Sequence, residues 1–442
     1  MTTEMASPAM RRVPTQAEAT AVFARIGLLS FGGPAAQIAL MHRMLVEERG
    51  WVSEARFLHA LNYCMLLPGP EAMQLATYTG WLMHGVRGGL IAGLLFLMPG
   101  AVVITALSIL YLVLGDAPAV EGLLFGLKAA VLAIVLDALV RVSGRALKGP
   151  GMVALAVVAF VGIAFLGIPF PLIVLGAAVA GALLHSVRDA GADVPHVEEP
   201  VPAWAEPRLG RLAATSGLWL ALWMVPLAAF MLLLGETNVF AAEARLFSIL
   251  AAVTFGGAYA VLAYVAQQAV EVYGWLRPDE MLTGLGLAET TPGPLILVLA
   301  FVGFLGGARH GGLEPLAGGL AGVLVSLWFT FVPCFLWVFA GAPYVETVRK
   351  VQWLAASLAG VTAAVVGVIA NLALWFGLHV LFAQVGEMVL GPFTIPLPVP
   401  GSIDVAAVVI AAAAAFALLR LRVNLLVVLA VAMLTGIGIS LA

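Results

Sequence analysis

Leu66-Leu67-Pro68-Gly69-Pro70 and Thr290-Thr291-Pro292-Gly293-Pro294 are the two stretches that decide the fold of this chain. They lie 224 residues apart. A Phe-Gly-Gly triplet precedes each stretch at the same spacing: Phe31-Gly32-Gly33 and Phe255-Gly256-Gly257. An ungapped comparison of residues 31–70 with residues 255–294 gives 14 identities in 40 positions, where composition alone gives roughly four. The chain therefore contains an internal duplication that retains its helix-breaking residues.

The composition is that of a membrane protein with many spans. Of 442 residues, 62% are hydrophobic and 10% are charged, and the mean hydropathy is +1.08, whereas a soluble domain has roughly 25% charged residues. Residues 1–14 are polar, so we expect a disordered N-terminus without a cleavable signal peptide, and insertion into a plasma membrane, the inner membrane of a bacterium. Cys64 and Cys334 lie in apolar segments without metal-ligand spacing, which predicts buried, inert thiols.

Each Pro-Gly-Pro joins two helices that are too short to cross a membrane comfortably. In the first copy, a helix over 54–67 ends at the break and another runs from there to about residue 84, while one crossing needs roughly 20 residues. A second break, at Gly32-Gly33, divides the helix over 15–47. Paired half-length segments that meet at Pro and Gly predict discontinuous or re-entrant helices packed inside the protein.

The remaining apolar segments predict full-length spans and four regions. Spans are expected at about 88–114, 118–140, 151–167, 169–187, 212–234, 315–340, 349–382, 404–420 and 423–441. The regions are a disordered N-terminus (1–14), an N-terminal transporter repeat (15–187), a cytoplasmic linker (188–211) and a C-terminal transporter repeat (212–442).

The distribution of basic residues predicts the orientation of the two copies. Loop 141–150 at the end of the first copy contains Arg141, Arg145 and Lys148, whereas loop 384–403 in the second contains no Lys or Arg. Basic loops stay in the cytoplasm, and one span separates the linker from the second copy. We therefore predict an all-α polytopic membrane protein with two inverted-topology repeats, whose broken half-helices meet near the midplane, as in secondary transporters.

The helix starts after these breaks predict an anion site. A helix N-terminus presents free backbone N–H groups and the positive end of the helix dipole, and glycine permits close approach of the backbone. Gln37, Gln74, Thr290 and Thr291 can add side-chain donors. The predicted substrate-binding residues are Phe31, Gly32, Gly33, Pro34, Pro68, Gly69, Pro70, Glu71, Ala72, Gln74, Phe255, Gly256, Gly257, Thr290, Thr291, Pro292, Gly293, Pro294 and Lys128. The alternative is that these prolines and glycines only kink helices for packing.

Three charged residues in or beside these segments complete the hypothesis. Glu71 follows the first Pro-Gly-Pro and Glu289 lies three residues before the second. Buried carboxyl groups hold protons more tightly, so both are proton-coupling candidates, although Glu71 can instead stabilise its own helix N-terminus. Lys128 in the apolar segment over 118–140 can balance the charge of a dianion or simply extend towards the membrane surface.

Several other classes of function find no support in the sequence. The seven histidines show no pair at metal-ligand spacing, so no metal site and no cofactor are expected. The chain lacks a phosphate-binding loop and a nucleophile elbow, which argues against an ATP-driven pump and against an enzyme. No basic run indicates nucleic acid.

The longest of these motifs resembles a known family. Phe31-Gly32-Gly33-Pro34 and the stretch from Cys64 to Trp81 look like the signature of the chromate ion transporter family in its long-chain, two-domain form, and the second copy is similar to the family's C-terminal domain. The resemblance implies an inner-membrane protein that exports chromate, with sulfate as a competing or exchanged anion. Together with the predicted inverted repeats, it favours a secondary transporter that works by alternating access around the midplane site.

Other functions remain as alternatives. One is a carrier of a broader range of anions, and another is a membrane-embedded enzyme acting on lipid-linked phosphates, for which we find no nucleophile or metal cluster. A channel would need a polar pore lining, whereas apolar residues dominate the spans. The many Ala and Gly residues permit a homodimer through close helix contacts.

Overall fold

The computed structural model describes residues 13–115, 117–185, 204, 206–255, 258–344 and 352–441. Within these residues the chain forms sixteen α-helices and one β-hairpin, joined by short 3₁₀ and π-helical segments. In the first half the helices are α1 (Gln16–Leu29), α2 (Gly33–His42), α3 (Glu54–Cys64), α4 (Glu71–Leu114), α5 (Pro118–Ala146), α6 (Pro150–Ala164), α7 (Phe170–His185) and α8 (Leu209–Leu234). In the second half they are α9 (Val239–Val253), α10 (Ala258–Ala266), α11 (Pro278–Thr290), α12 (Val298–His310), α13 (Pro315–Gly341), α14 (Gln352–Leu381), α15 (Val405–Ala415) and α16 (Leu425–Ser440).

Length and hydropathy identify the membrane-crossing helices. Five helical segments in the described part of the chain are long and apolar enough to cross a membrane: Glu71–Leu114, Pro118–Ala146, Leu209–Leu234, Pro315–Tyr344 and Trp353–Leu381. Shorter apolar helices, including α6, α7, α15 and α16, accompany them. The prediction of an all-α polytopic membrane protein is confirmed, apart from the small hairpin.

The two copies have matching helix breaks. The order α1, α2, α3, α4 in the first copy corresponds to α9, α10, α11, α12 and α13 in the second. Glycine at Gly85, with φ 60°, interrupts α4 and corresponds to the turn between α12 and α13. Between α2 and α3, and again between α10 and α11, the helix widens into a π-helical turn, Arg43–Glu47 and Gln267–Val272.

Hydrogen bonds repeat along with the breaks. The Trp51 N–H donates to the Leu45 carbonyl at 2.9 Å, and the Trp275 N–H donates to the Ala269 carbonyl at 2.8 Å. Each residue of the second pair lies 224 positions after its counterpart. The duplication has therefore preserved details of backbone geometry as well as sequence.

The last helices of each copy pack against the other copy. The last helices of the second copy, α15 and α16, pack against α5 of the first, while α6 and α7 of the first pack against α14 of the second. Small residues make these contacts close: a Cβ at Gly126 would overlap the Ala432 carbonyl oxygen, and one at Gly367 would overlap that of Ala156. Helices in a membrane gain their packing energy from such close backbone approach.

Two segments predicted as loops are ordered elements. Helix α5 continues to Ala146, so Arg141 and Arg145 lie on its last turns, and the predicted loop over 141–150 shrinks to three residues before α6. The predicted loop over 384–403 contains an antiparallel hairpin of β1 (Val385–Leu390) and β2 (Phe393–Pro398). Its turn is closed by Gly391, whose φ of 62° suits glycine.

The predicted region boundaries remain predictions. Residues 1–12 and most of the linker over 188–211 lie outside the described residues. The described end of the linker includes Trp204, whose indole N–H donates to the Trp81 carbonyl at 3.0 Å. Span α8 then leads into the second copy, the position on which the predicted inversion depends.

The exchanged packing of α5 and α16 gives a stability prediction. Gly126→Ala should lower the free energy of unfolding by roughly 1–3 kcal/mol, because its new methyl group meets backbone that has no room to move. Gly144→Ala, on the same helix, has no described heavy atom within 4 Å of its new Cβ and should be neutral or stabilising, since alanine favours helix. Thermal unfolding of the detergent-purified proteins measures both. Equal midpoints for the two variants would contradict the close contact.

Candidate functional site

Two reciprocal hydrogen bonds hold the helix breaks of the two copies together. The Gly69 N–H donates to the Thr254 carbonyl at 2.8 Å, and the Gly293 N–H donates to the Ser30 carbonyl at 2.8 Å. Gly293 corresponds to Gly69 and Ser30 corresponds to Thr254, each pair being 224 residues apart. The two bonds are therefore equivalent, with donor and acceptor copies exchanged. Each Pro-Gly-Pro is thus bound to the residue just before the other copy's Phe-Gly-Gly. We call residues 30–34, 68–71, 254–255 and 290–295 the crossing.

The crossing contains most of the residues that the sequence singles out. Those inside it are Phe31, Gly32, Gly33, Pro34, Pro68, Gly69, Pro70, Glu71, Phe255, Thr290, Thr291, Pro292, Gly293 and Pro294. Ala72 and Gln74 follow in the first turn of α4, and both are buried. Gly256 and Gly257 lie outside the described residues.

Left-handed glycines give the crossing its shape. Gly69 has a φ of 123°, Gly293 of 92° and Gly32 of 87°, conformations that a residue with a Cβ rarely adopts. A Cβ at Gly69 would also lie 2.8 Å from the Cys334 Sγ on α13. Gly69 and Gly293 turn their N–H groups towards the opposite copy, in backbone conformations that a side chain would strain.

Two buried glutamines clamp the breaks. The Gln37 Nε2 donates to the Ser30 carbonyl at 3.2 Å and to the Gly293 carbonyl at 2.6 Å. The Gln74 Nε2 donates to the Pro68 carbonyl at 2.7 Å. The sequence predicts these side chains as donors to an anion, but in this conformation their N–H groups are directed to backbone carbonyls.

The hydroxyl groups of Thr290 and Thr291 donate hydrogen bonds to backbone carbonyls of their own helix. Thr290 donates to the Leu287 carbonyl at 2.8 Å and Thr291 to the Ala288 carbonyl at 2.9 Å, at the end of α11. Side-chain donors of the crossing are therefore mostly engaged. The backbone N–H groups of the helix starts remain as the source of donors to a ligand.

Three helix starts meet at the crossing without a side-chain cap from the described residues. They are the start of α2 after Gly32, of α4 after Pro70, and of the 3₁₀ turn Leu295–Leu297 after Pro294, which leads into α12. The N-termini of α1, α3, α9 and α13 have capping side chains, whereas α5, α6 and α8 also begin without one but lie away from the breaks. Uncapped N–H groups with aligned dipoles make a region favourable for negative charge.

Glu289 lies beside the second break and has a partner that sequence reasoning missed. Its side chain is 5% exposed and accepts a hydrogen bond from the Tyr259 hydroxyl. Tyr259 follows Phe255 by four residues, whereas the first copy has Ala35 at that position. This difference within the duplicated stretch was a signal that could have identified Tyr259.

The C-terminal turns of α5 bring positive charge towards both breaks. Arg141 lies within electrostatic range of Glu289 and Tyr259, and Arg145 within range of Glu71. Arg141 also pairs with Asp137 one turn earlier, at 2.9 Å. The four-residue spacing puts both arginines on one face of α5.

Lys128 lies at some distance from the crossing. Its Nζ is 3.6 Å from the Asp279 carboxylate, at the start of α11. Helix α11 ends at the crossing with Thr290, so eleven residues, or roughly 16 Å of helix, separate the lysine's partner from the second break. The structure pairs Lys128 with a carboxylate and does not bring it to the Pro-Gly-Pro.

Each break is covered by a proline-containing helix of the other copy. In α4, Gly100 follows Pro99, and a Cβ at Gly100 would overlap the Pro292 carbonyl oxygen. In α13, Cys334 follows Pro333, and a Cβ at Gly69 would lie 2.8 Å from the Cys334 Sγ. The crossing is therefore closely packed in this conformation, and a ligand would enter only after these helices shift.

A cavity of about 430 Å³ lies elsewhere, between α10, α14 and the hairpin. Its lining includes Glu271 and Glu387, and the Trp375 indole N–H donates to Glu271 at 3.1 Å. None of the helix starts at the two breaks lines this cavity. The crossing is the better candidate for an oxyanion site.

Comparison with known proteins identifies the family of this chain. The family model described as chromate transporter matches residues 17–182 and 241–437, one segment for each copy. The chain belongs to the chromate transporter family. This membership indicates a membrane transport protein rather than an enzyme, and it confirms the family resemblance of the sequence motifs.

Curated relatives of similar length extend the match. A chromate transport protein of Pseudomonas aeruginosa is 31% identical over 376 residues, 83% of this chain and 82% of the relative. A probable chromate transport protein of Synechococcus elongatus is 29% identical over 354 residues, 80% and 82% of the two chains. A chromate transport protein of Cupriavidus metallidurans is 28% identical over 354 residues, 78% and 79% of the two. No solved structure matches the chain.

The role of Gln37 gives a testable prediction. Gln37→Leu removes the donor shared by the Ser30 and Gly293 carbonyls and should lower the free energy of unfolding by about 1–3 kcal/mol, because both buried acceptors lose a partner. Gln268→Leu is the control, at a half-buried glutamine on the π turn of the second copy. Thermal unfolding in detergent compares them, and a Gln37 variant as stable as the control would contradict the clamp.

Proposed function

We propose that this protein is a secondary transporter that exports chromate, with sulfate as a competing or exchanged oxyanion, by alternating access around the crossing. The observation that carries the proposal is the meeting of uncapped helix starts from both copies, joined by the reciprocal Gly69–Thr254 and Gly293–Ser30 bonds. Family membership and the names of the relatives supply the chromate assignment.

The chemistry of the crossing suits a small tetrahedral dianion. Backbone N–H groups of Glu71, Ala72 and Met73 on one side and of Leu295 and Ile296 on the other would donate to its oxygens, and the helix dipoles favour its charge. Arg141 and Arg145 on α5 would offset the two carboxylates nearby and attract an anion to this end of α5. Chromate and sulfate share shape and charge, so a backbone cage should bind both.

The carboxylates provide a route to proton coupling. Glu71 is half-buried and Glu289 is buried, and an ionised carboxylate at either place would repel an oxyanion at the helix starts. Protonation of Glu289 or Glu71 would therefore favour oxyanion binding, and release of the proton would favour oxyanion release. The Tyr259 hydroxyl holds the Glu289 side chain in place beside the break.

Alternating access would use the relationship between the copies. We infer that the two repeats lie in the membrane with opposite orientations, as the basic residues of the first copy and the single span α8 between the copies suggest. Rocking of one copy against the other would move Gly100 and Cys334 away from the breaks in turn. The crossing would then open to one side of the membrane at a time.

The proposal also covers the location, specificity and assembly of the protein. A plasma membrane location in a bacterium fits the family and its bacterial relatives. A carrier of a broader range of anions is the second candidate, because backbone donors discriminate poorly among oxyanions. Homodimer formation remains a proposal that the exposed apolar helix faces permit.

Chromate uptake into proteoliposomes, with and without sulfate on the opposite side and at two pH gradients, tests the function. Acceleration by sulfate on the opposite side, insensitive to pH, would establish exchange and leave the carboxylates structural. Stimulation by a proton gradient without sulfate would establish proton coupling, and Glu289→Gln and Glu71→Gln would then test which carboxyl group carries the proton. Absence of chromate movement under every condition would refute the substrate assignment.

The glycines of the crossing give a direct prediction. Gly69→Val and Gly293→Val should abolish chromate transport while the protein still inserts, because a side chain would fill the anion site and strain a left-handed backbone. Gly391→Val is the matched control. Its φ of 62° imposes similar strain, but it lies in the hairpin turn with no described heavy atom within 4 Å of the new Cβ.

Transport assays and membrane-fraction blots of the three variants separate the effects. Loss of transport in the crossing variants alone would support the site. Wild-type rates in Gly69→Val and Gly293→Val would refute it.

A further inference from the structure

Glu243 is a buried carboxyl group that the proposed anion site does not use. It lies on α9, its side chain is 0% exposed, and both carboxyl oxygens are buried with no hydrogen-bond partner among the described residues. Burying an ionised carboxylate without a partner is so unfavourable that such a group is held as the neutral acid. In this conformation Glu243 therefore carries a proton.

Glycines of two other helices form a cradle for this carboxyl group. A Cβ at Gly306 of α12 would lie 2.7 Å from the Glu243 Oε1, and one at Gly322 of α13 would lie 3.4 Å from it. The Trp275 ring covers the same place, 3.4 Å from the Gly306 Cβ position. The carboxyl oxygen thus occupies the space that side chains on α12 and α13 would need.

The first copy shows that packing alone does not require a carboxyl group here. The residue 224 positions before Glu243 is Ala19 on α1, which is 5% exposed. An alanine therefore fills the matching position in α1, the counterpart of α9 in the first copy, and allows that helix to pack. The costly glutamate is peculiar to the second copy, which points to a function.

We propose that Glu243 is a proton-binding site of the transport cycle, protonated while α9 packs on α12 and α13 and deprotonated when these helices separate and admit water. The coupling to chromate rests on the proposed function, whereas proton binding itself rests on the cradle. Glu243 is distinct from Glu71 and Glu289, which lie at or beside the crossing.

Helix α12 connects this site to the crossing. The 3₁₀ turn that opens it begins at Leu295, immediately after the second Pro-Gly-Pro, and Gly306 lies eleven residues later, roughly 16 Å along the helix. A shift of α12 that changes the crossing would also change the cover over Glu243. One rigid element would thus link oxyanion binding to proton binding.

The other charged groups around α9 have their own partners or lie in solvent. Arg309 of α12 forms a bidentate pair with Glu280, at 2.6 and 2.7 Å, and Arg245 of α9 donates to the Tyr273 hydroxyl at 3.2 Å. Glu314 caps the N-terminus of α13, and His310 and Glu236 are exposed.

The remaining charged groups also lie away from Glu243 or are paired. Arg277, beside the π turn, pairs with Asp279 and Glu280. Arg211 lies in the first turn of α8, at the end of that helix far from the start of α9.

Infrared spectroscopy of the purified full-length protein tests proton binding without any transport. The wild type at neutral pH should show a C=O stretching band of a protonated carboxylic acid that Glu243→Gln lacks. Glu236→Gln, at an exposed carboxylate, should leave this band unchanged. Glu243→Ala, which copies Ala19 of the first copy, serves if the glutamine variant does not fold. A spectrum of Glu243→Gln identical to the wild type in this band would overturn the proposal.

Proton movement in proteoliposomes tests the coupling. A pH-sensitive dye inside the vesicles should report the same proton movement per chromate transported for the wild type and Glu236→Gln, and less for Glu243→Gln. A ratio of protons to chromate in Glu243→Gln equal to that of the wild type would overturn the coupling role. If the wild type moves no chromate at all, the proposed function fails, and the infrared band alone decides whether Glu243 binds a proton.

Discussion

The fold depends on how broken helices satisfy their backbone groups inside a membrane. A helix interrupted by Pro-Gly-Pro exposes N–H and carbonyl groups that lipid cannot bind. Here each copy supplies the missing partner for the other, through the Gly69–Thr254 and Gly293–Ser30 hydrogen bonds. Neither copy is complete alone, because the acceptor for its break lies in the other. The duplication is therefore a structural requirement as well as a record of ancestry.

Much of this architecture follows from local rules that a sequence displays directly. The breaks at Gly32-Gly33 and at both Pro-Gly-Pro stretches occur where predicted, because proline lacks a backbone donor and glycine alone adopts φ values such as the 123° of Gly69. Helix lengths follow from apolar runs, so α8 and α14 begin within a few residues of their predicted positions. The proximity of the two breaks follows from the duplication.

The side-chain roles that sequence reasoning missed depend on contacts between distant elements. Gln37 has the Gly293 carbonyl as its partner, 256 residues away, and no local pattern separates such a clamp from a free donor. Lys128 pairs with Asp279 of another helix, and Tyr259 meets Glu289 across a break. The hairpin over 385–398 was missed because Pro396 and Pro398 in its second strand, with the neighbouring prolines and glycines, resemble a loop. Glu243 was missed because its significance lies in the glycines of α12 and α13 that surround it.

The exchanged packing of the terminal helices sets the order in which the molecule can be assembled. Helix α5 finds its partner in α16, which leaves the ribosome roughly 280 residues later, on the order of tens of seconds at ordinary rates of synthesis. During that interval the glycine-lined face around Gly126 is exposed to lipid. The first half would therefore lack its α16 contact until synthesis is complete. A membrane chaperone or insertase acting in this interval would contact this face of α5.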